Sequence, residues 1–203
     1  MIIIFFDKKK IEEALTFLGE LLEDDLEKTD PLQFEIVVCG GSALTMLNLN
    51  TRRFTKDIDI LAQVQFTKKG VEYQSPKMPP SLDKAVQIVA EDWGHSPDWM
   101  NDEMKNFRFK SHPFKSLPNG LEKRWKKKNY GSRLTIFFIG RYDLIHLKLL
   151  AATDPKAPEK HLQDLMSLNP NKEEIKAAAN WCKEQGIPNE RLKILEKIIK
   201  DIR

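Results

Sequence analysis

Two short runs in this chain hold the residue types that chemistry on phosphate requires. Gly40-Gly41-Ser42 closes the apolar stretch Val37-Val38-Cys39, and Asp57-Ile58-Asp59 follows shortly after. Glycine lets the backbone take torsions closed to other residues and approach a ligand with no Cβ in the way. A helix beginning at Ser42 would add free N–H groups, a positive dipole end and a hydroxyl, all of which favour an anion. By itself, Gly-Gly-Ser also reads as a plain tight turn from strand to helix. Asp57 and Asp59 stand two apart, so on a strand both carboxylates point to one face, where they repel unless a cation lies between them. Hard oxygen ligands of this kind suit Mg²⁺ or Mn²⁺, which keep waters that substrate phosphates can replace. The alternative is a solvent-facing acidic pair beside Arg52, Arg53 and Lys56. A strand, tight turn, helix and second strand would lay the second strand against the first and bring the carboxylates close to the glycines.

The elements that must hold these residues follow from hydrophobic periodicity. Ile11, Ala14, Leu15, Leu18, Leu21, Leu22 and Leu26 recur at helical spacing over residues 8–28. A strand is expected over 34–39, a helix over 42–49 with Ser42 at its N-cap end, and a strand over 57–62. Residues 63–80 carry no clear period, with Lys68-Lys69-Gly70 as a candidate turn. A helix is expected over 81–92, irregular structure over 99–133, and a strand over 134–139. Helices over 142–152, 161–168, 171–185 and 189–202 complete the chain. The fold class is therefore α/β (α+β), a mixed sheet flanked by helices with a helical C-terminal portion. The expected division is a core over 1–140 and a helical part over 141–203 packed on it, with a single domain as the alternative.

The 203 residues suffice to bury a core, and a net charge of +3 is too small to mark a nucleic-acid binder by total charge. Cys39 and Cys182 lie far apart, which favours reduced thiols and a cytoplasmic address. The apolar run 2–6 is stopped by Asp7 and Lys8-Lys9-Lys10, too short for a membrane span and without the order of a secretory signal. It reads as a strand or an N-terminal arm, and no membrane partner is expected. The four histidines have no zinc-ligand spacing, and no Gly-Lys-Ser/Thr motif is present, which sets aside P-loop and kinase readings. Of the histidines, His161 lies nearest the suspected functional residues, though a packing role is the commoner one. Residues 105–133 gather Arg108, Lys110, Lys115, Lys123, Arg124, Lys126, Lys127, Lys128 and Arg133 around Phe107, Phe109, Trp125 and Tyr130. This is either an RNA-binding surface, with cations on phosphates and rings on bases, or a solvated basic loop beside a triphosphate pocket. Arg124 is a further candidate for contacting a nucleotide.

Gly40-Gly41-Ser42 followed by Asp57-Ile58-Asp59 resembles the signature of the nucleotidyltransferase superfamily. Within it, Arg53, Thr55 and the two aspartates are similar to a small bacterial branch that includes abortive-infection toxins and uncharacterised families. Asp143-Leu144 through Lys148-Leu149-Leu150-Ala151-Ala152, with His161-Leu162-Gln163-Asp164-Leu165, is similar to the same branch, and the likeness spans roughly 34–181. The resemblance implies a nucleotidyltransferase-like fold with Mg²⁺ or Mn²⁺ at Asp57 and Asp59. It also implies β- and γ-phosphates at the turn of Gly40, Gly41 and Ser42, Lys148 facing the triphosphate as a fixed positive charge, and Asp164 near the same pocket. The implied reaction moves a nucleoside monophosphate from a nucleoside triphosphate to a hydroxyl of RNA or protein. An antitoxin partner is implied if the chain is a toxin. The rival readings are a nucleotide- or RNA-binding module that has lost turnover and a protein whose C-terminal helices bind a partner. Many members of the superfamily take a third carboxylate from a neighbouring central strand. The expected strand at 134–139 has no acid, which leaves Glu72, Asp143 and Asp164 as alternative sources.

Overall fold

The computed structural model describes residues 5–24, 33–49, 54–102, 117–156 and 159–202. Arg52, Arg53, His112 and the first half of the basic segment, including Arg108, Lys110 and Lys115, lie outside the described residues. Helix α1 (Lys8–Asp24) buries Ile11, Ala14, Leu15, Leu18 and Leu22, the stripe its period predicts. Strand β1 (Phe34–Cys39) leads directly into α2 (Gly40–Met46), and the next segment enters β2 (Ile58–Thr67). A tight turn at Lys68-Lys69 returns β2 as β3 (Gly70–Gln74), followed by α3 (Pro80–Trp93) and a two-residue strand, β4 (Met100–Asn101). A single 3-10 turn (Leu121–Lys123) precedes β5 (Lys126–Tyr130) and β6 (Leu134–Phe138). The C-terminal helices are α4 (Arg141–Ala152), α5 (Lys160–Ser167), α6 (Lys172–Glu184) and α7 (Asn189–Ile202).

The strands form one mixed sheet in the order β3-β2-β1-β6-β5, with β4 beside the start of β2. Strand β1 is central, antiparallel to β2 and parallel to β6, and all but one of its side chains are buried. The α/β class, the mixed sheet and the helical C-terminal third are thus present as expected. Helix α4 is the hub of the helical layer. It packs against α2, α5, α6 and α7, and its side chains from Asp143 to Leu150 are buried. A capping box starts α6: the Asn171 side chain accepts the Glu174 N–H at 2.8 Å, and Glu174 accepts the Asn171 N–H at 2.9 Å. Arg141 then ties the start of α4 to Glu174.

Three expectations are corrected. Helix α2 begins at Gly40 rather than Ser42, because Gly40 takes a φ of 71° and turns the chain at once. The stretch 99–133 contains β4, a 3-10 turn and β5 rather than irregular structure alone. Strand β5 was unreadable because its sequence, Lys-Lys-Lys-Asn-Tyr, suits an edge strand with solvated lysines and has little apolar alternation. Strand β2 runs on to Thr67 through the unassigned region, since its pairing with β3 continues beyond the core. Among the described residues, no helix is long and apolar enough to cross a membrane.

Candidate functional site

Pairing between β1 and β2 brings the two sequence runs together. Val37 pairs with Ala62, but Val38 pairs with Ile60, so β2 carries one extra residue, a bulge. Beyond it Cys39 stands opposite Asp59, one residue before the glycine turn. A Cβ added at Gly40 would overlap the Asp59 carboxylate, and one at Gly41 would come within 2.5 Å of Thr55 Oγ1. Glycine is therefore required at 40 both for its left-handed torsion and for the approach of Asp59.

The segment entering β2 is held from both sides. Phe6 and Thr55 exchange backbone hydrogen bonds, Phe6 N–H to Thr55 O at 2.7 Å and Thr55 N–H to Phe6 O at 2.9 Å. The Thr55 hydroxyl donates to the Asp57 carbonyl at 3.1 Å. On the other flank the Ile58 N–H donates to Trp99 O at 2.6 Å, and the fully buried Trp99 donates its indole N–H to Val86 O at 2.9 Å. Of the apolar start, read as a strand or an N-terminal arm, Phe6 makes this single bridge, and residues 1–4 lie outside the described residues.

Ser42 is fully buried, and its hydroxyl donates to Cys39 O at 2.9 Å. It therefore lies inside the first turn of α2 rather than at its N-cap. With its one hydroxyl hydrogen so used, a phosphate at the turn would depend on backbone N–H groups.

Asp57 and Asp59 are both partly exposed and lie close enough to perturb each other. Burial pushes the Asp59 carboxyl up to about 6 and the Asp57 charge pushes in the same direction, while Lys148, Lys160 and a hydrogen bond from Asn101 oppose the rise. A carboxylate that is both desolvated and faced by a like charge invites a cation. Lys148 reaches this region from α4, buried, with its ammonium 2.7 Å from Asp164 on α5. The structure thus brings Gly40, Gly41, Asp57, Asp59, Lys148 and Asp164 to one place, with Lys148 and Asp164 as an ion pair. His161, one turn before Asp164, has a buried Nδ1 with no hydrogen-bond partner. Burial first, then the charges of Lys148 and Lys160, lower its imidazole to about 4 and keep it neutral.

The strand neighbouring Asp59 on its far side is β4, not β6. Strand β6 lies on the other side of β1 and is not paired with β2. In β4, Asn101 is paired in register with Asp59 and is buried, its amide hydrogen-bonded to that carboxylate. Two residues of β-branched or aromatic character would have flagged this strand in the sequence, but Met100-Asn101 offers none. Of the alternative acids, Asp164 is the partner of Lys148, and the other two fall elsewhere. Glu72 pairs with Gln65 near the other end of β2. Asp143 is fully buried and held by Arg124, whose Nε and Nη2 donate to its carboxylate at 2.6 to 3.2 Å. Arg124 also lies over the Tyr142 ring at 4.8 Å, so this arginine is occupied in the fold. Among the described residues, no group of three or more His, Cys, Asp or Glu is placed to hold a metal ion. The donors that fit a hard divalent ion are the oxygens of Asp57, Asp59 and Asn101, supplemented by water or substrate.

Both cysteines are free and buried. Neither is placed for nucleophilic chemistry, since burial pushes both thiols up.

A family model described as "Nucleotidyltransferase of unknown function (DUF6036)" matches residues 13–167. No curated protein and no solved structure gives a significant match.

Proposed function

The chain belongs to the nucleotidyltransferase family whose model spans its residues 13–167, and from this premise we propose a metal-dependent transfer of a nucleoside monophosphate from a nucleoside triphosphate to a hydroxyl. The observation that carries the proposal is the Asp59 carboxylate lying over Gly40, with Asp57 beside it and Lys148 within electrostatic reach. Asp57 and Asp59, with the Asn101 amide oxygen, would hold Mg²⁺ or Mn²⁺. Such an ion, when bound, supplies charge stabilisation at the reacting phosphoryl group.

The chain's own residues then do the positioning. Gly40 and Gly41 let Asp59 and Thr55 close against the turn, and backbone N–H groups of that turn would meet the phosphates. Lys148 contributes a positive charge held in place by Asp164, and buried charges of this kind act strongly because little water screens them. In the transfer, the acceptor oxygen bonds to the α-phosphorus, the bond to the bridging oxygen of the β-phosphate breaks, and pyrophosphate leaves. The acceptor's proton is released to water. The acceptor belongs to RNA or protein. Should the modified RNA or protein be essential to the producing cell, an antitoxin partner belongs to this reading.

Incubation with each of the four α-labelled nucleoside triphosphates, Mg²⁺ or Mn²⁺, and cellular RNA or protein tests the proposal. Label transfer with at least one nucleotide is expected, and none with any of the four contradicts it. One observation favours a second reading, a nucleotide-binding protein without turnover: the residue paired with Asp59 is an amide, and among the described residues no group of three or more His, Cys, Asp or Glu is placed to hold a metal ion. Metal-independent nucleotide binding in calorimetry, with no pyrophosphate released, would select that reading.

A further inference from the structure

Strand β2 extends well beyond the carboxylates, and its far end carries an exposed aromatic patch. Phe66 is 51% exposed and Tyr73 36% exposed, whereas most aromatic rings of the described sheet are buried. Their rings approach Trp125 at 6.3 and 6.4 Å, and Phe66 and Trp125 flank Phe137 at 5.7 and 4.4 Å.

Register fixes which face of the sheet this patch occupies. Cys39 pairs with Asp59, Val37 pairs with Ala62 and with Phe137, and Val64 pairs with Tyr73. Side chains opposite one another, or two apart along a strand, share a face. Asp59, Ala62, Val64, Phe66, Tyr73 and Phe137 therefore lie on one face, with the carboxylates at one end and the rings at the other. Seven residues separate Asp59 from Phe66, roughly 20 Å along a strand.

The patch is rimmed by cations. Lys127 places its ammonium 5.9 Å from the Phe137 ring centroid on this face, and Lys68 and Lys69 are exposed in the turn just past Phe66. Two acids also lie nearby, but one is already engaged: Glu122 accepts the Tyr73 hydroxyl at 3.1 Å. Glu35 is half-buried on this face, its charge opposed by Lys127.

From this arrangement we infer that the Phe66, Tyr73 and Trp125 patch, with Lys127, Lys68 and Lys69, seats a single-stranded RNA acceptor leading to the Asp57 and Asp59 site. The inference rests on the transferase reading above and selects RNA as its acceptor. Bases stack on ring faces whatever their identity, and lysines at the rim neutralise the phosphates between them. A strand of duplex could not use the patch in this way, because its bases are stacked on one another and shielded from the rings.

The test is fluorescence anisotropy of a labelled single-stranded RNA of about 12 nucleotides, using the full chain in buffer without metal or nucleotide. Binding is expected to weaken steeply with salt, and a double-stranded RNA of the same length should bind less well. Phe66→Leu and Tyr73→Leu keep an apolar side chain but remove the stacking face, and each should weaken binding by about tenfold with an unchanged melting temperature. Lys176→Ala, on a distant helix, should leave binding as it is. Unchanged RNA binding in both leucine variants would overturn the inference, as would equal or better binding of the duplex. Transfer of label to protein with no RNA binding would also overturn it, while leaving the proposed transferase activity intact.

Discussion

Two acid-bearing regions share residues of helix α4 and are built in opposite ways. At its start, Asp143 is fully buried, and Arg124 grips it with several hydrogen bonds while stacking on Tyr142. Beyond Lys148, farther along the same helix, Asp57 and Asp59 face each other as like charges. Lys148, the first of the charges that oppose the rise at Asp59, is already bound to Asp164. The first region is complete as folded, since each charge has its partner. The second is not, and folding alone gives no reason to place two carboxylates on one face. On the proposed reading, the difference separates an acid that serves architecture from acids that serve a ligand.

Stability measurements offer the sharpest contrast. Asp143→Ala leaves the Arg124 guanidinium without its buried partner and should cost about 3 kcal/mol in urea unfolding. Asp59→Asn in metal-free buffer should lose no stability, because it removes one of two like charges. A destabilising Asp59→Asn together with a neutral Asp143→Ala would reverse the assignment of the two regions.

Divalent ion should act on one region only. At a concentration near 100 times its dissociation constant, Mn²⁺ or Mg²⁺ should stabilise the protein by about 2.7 kcal/mol, read as a rise in thermal midpoint. Asp57→Asn and Asp59→Asn should abolish that rise, and Asp143→Ala should keep it. Persistence of the rise in both asparagine variants would place the ion elsewhere.

A smaller effect concerns pH. The His161 imidazole is lowered from 6.5 to about 4, so below the unfolded value the unfolded chain binds the proton more readily than the folded one. Stability is therefore full above pH 6.5 and falls as pH drops toward about 4, over the range those two values define. His161→Asn should flatten this fall, measured as thermal midpoint against pH. An unaltered pH profile would show that the ring is not held neutral at the pocket. The smallest change is expected from Asn101→Asp, which gives β4 a carboxylate opposite Asp59 and should tighten Mn²⁺ a few-fold. Weaker Mn²⁺ binding would mean that position 101 does not face the ion.

Much of this arrangement was legible in the sequence because strong local patterns produced it. The apolar stretch Phe34–Cys39 could be read as a strand, the glycines as a turn, and the apolar periods of the C-terminal helices gave their positions to within a residue or two. Pairings that depend on distant residues left no such trace. The β2 bulge that turns Asp59 toward Gly40 is a property of two strands together. Strand β4 has only two residues and is held by its pairing with β2 and by the buried Trp99. For the same reason, nothing in the sequence places Asn101 beside Asp59. Lys148 and Asp164 were foreseen near one pocket, but their mutual ion pair depends on how α5 folds back on α4.

The central claim is that Asp57 and Asp59 serve nucleotide transfer while Asp143 serves the fold. Its most direct measurement is the rate of label transfer from an α-labelled nucleoside triphosphate by the wild type, Asp57→Asn, Asp59→Asn and Asp143→Asn proteins, each confirmed folded and given saturating Mn²⁺. The account predicts at least about a hundredfold loss in the first two variants and near wild-type transfer by the folded fraction of the third. Full transfer by Asp57→Asn and Asp59→Asn would contradict it.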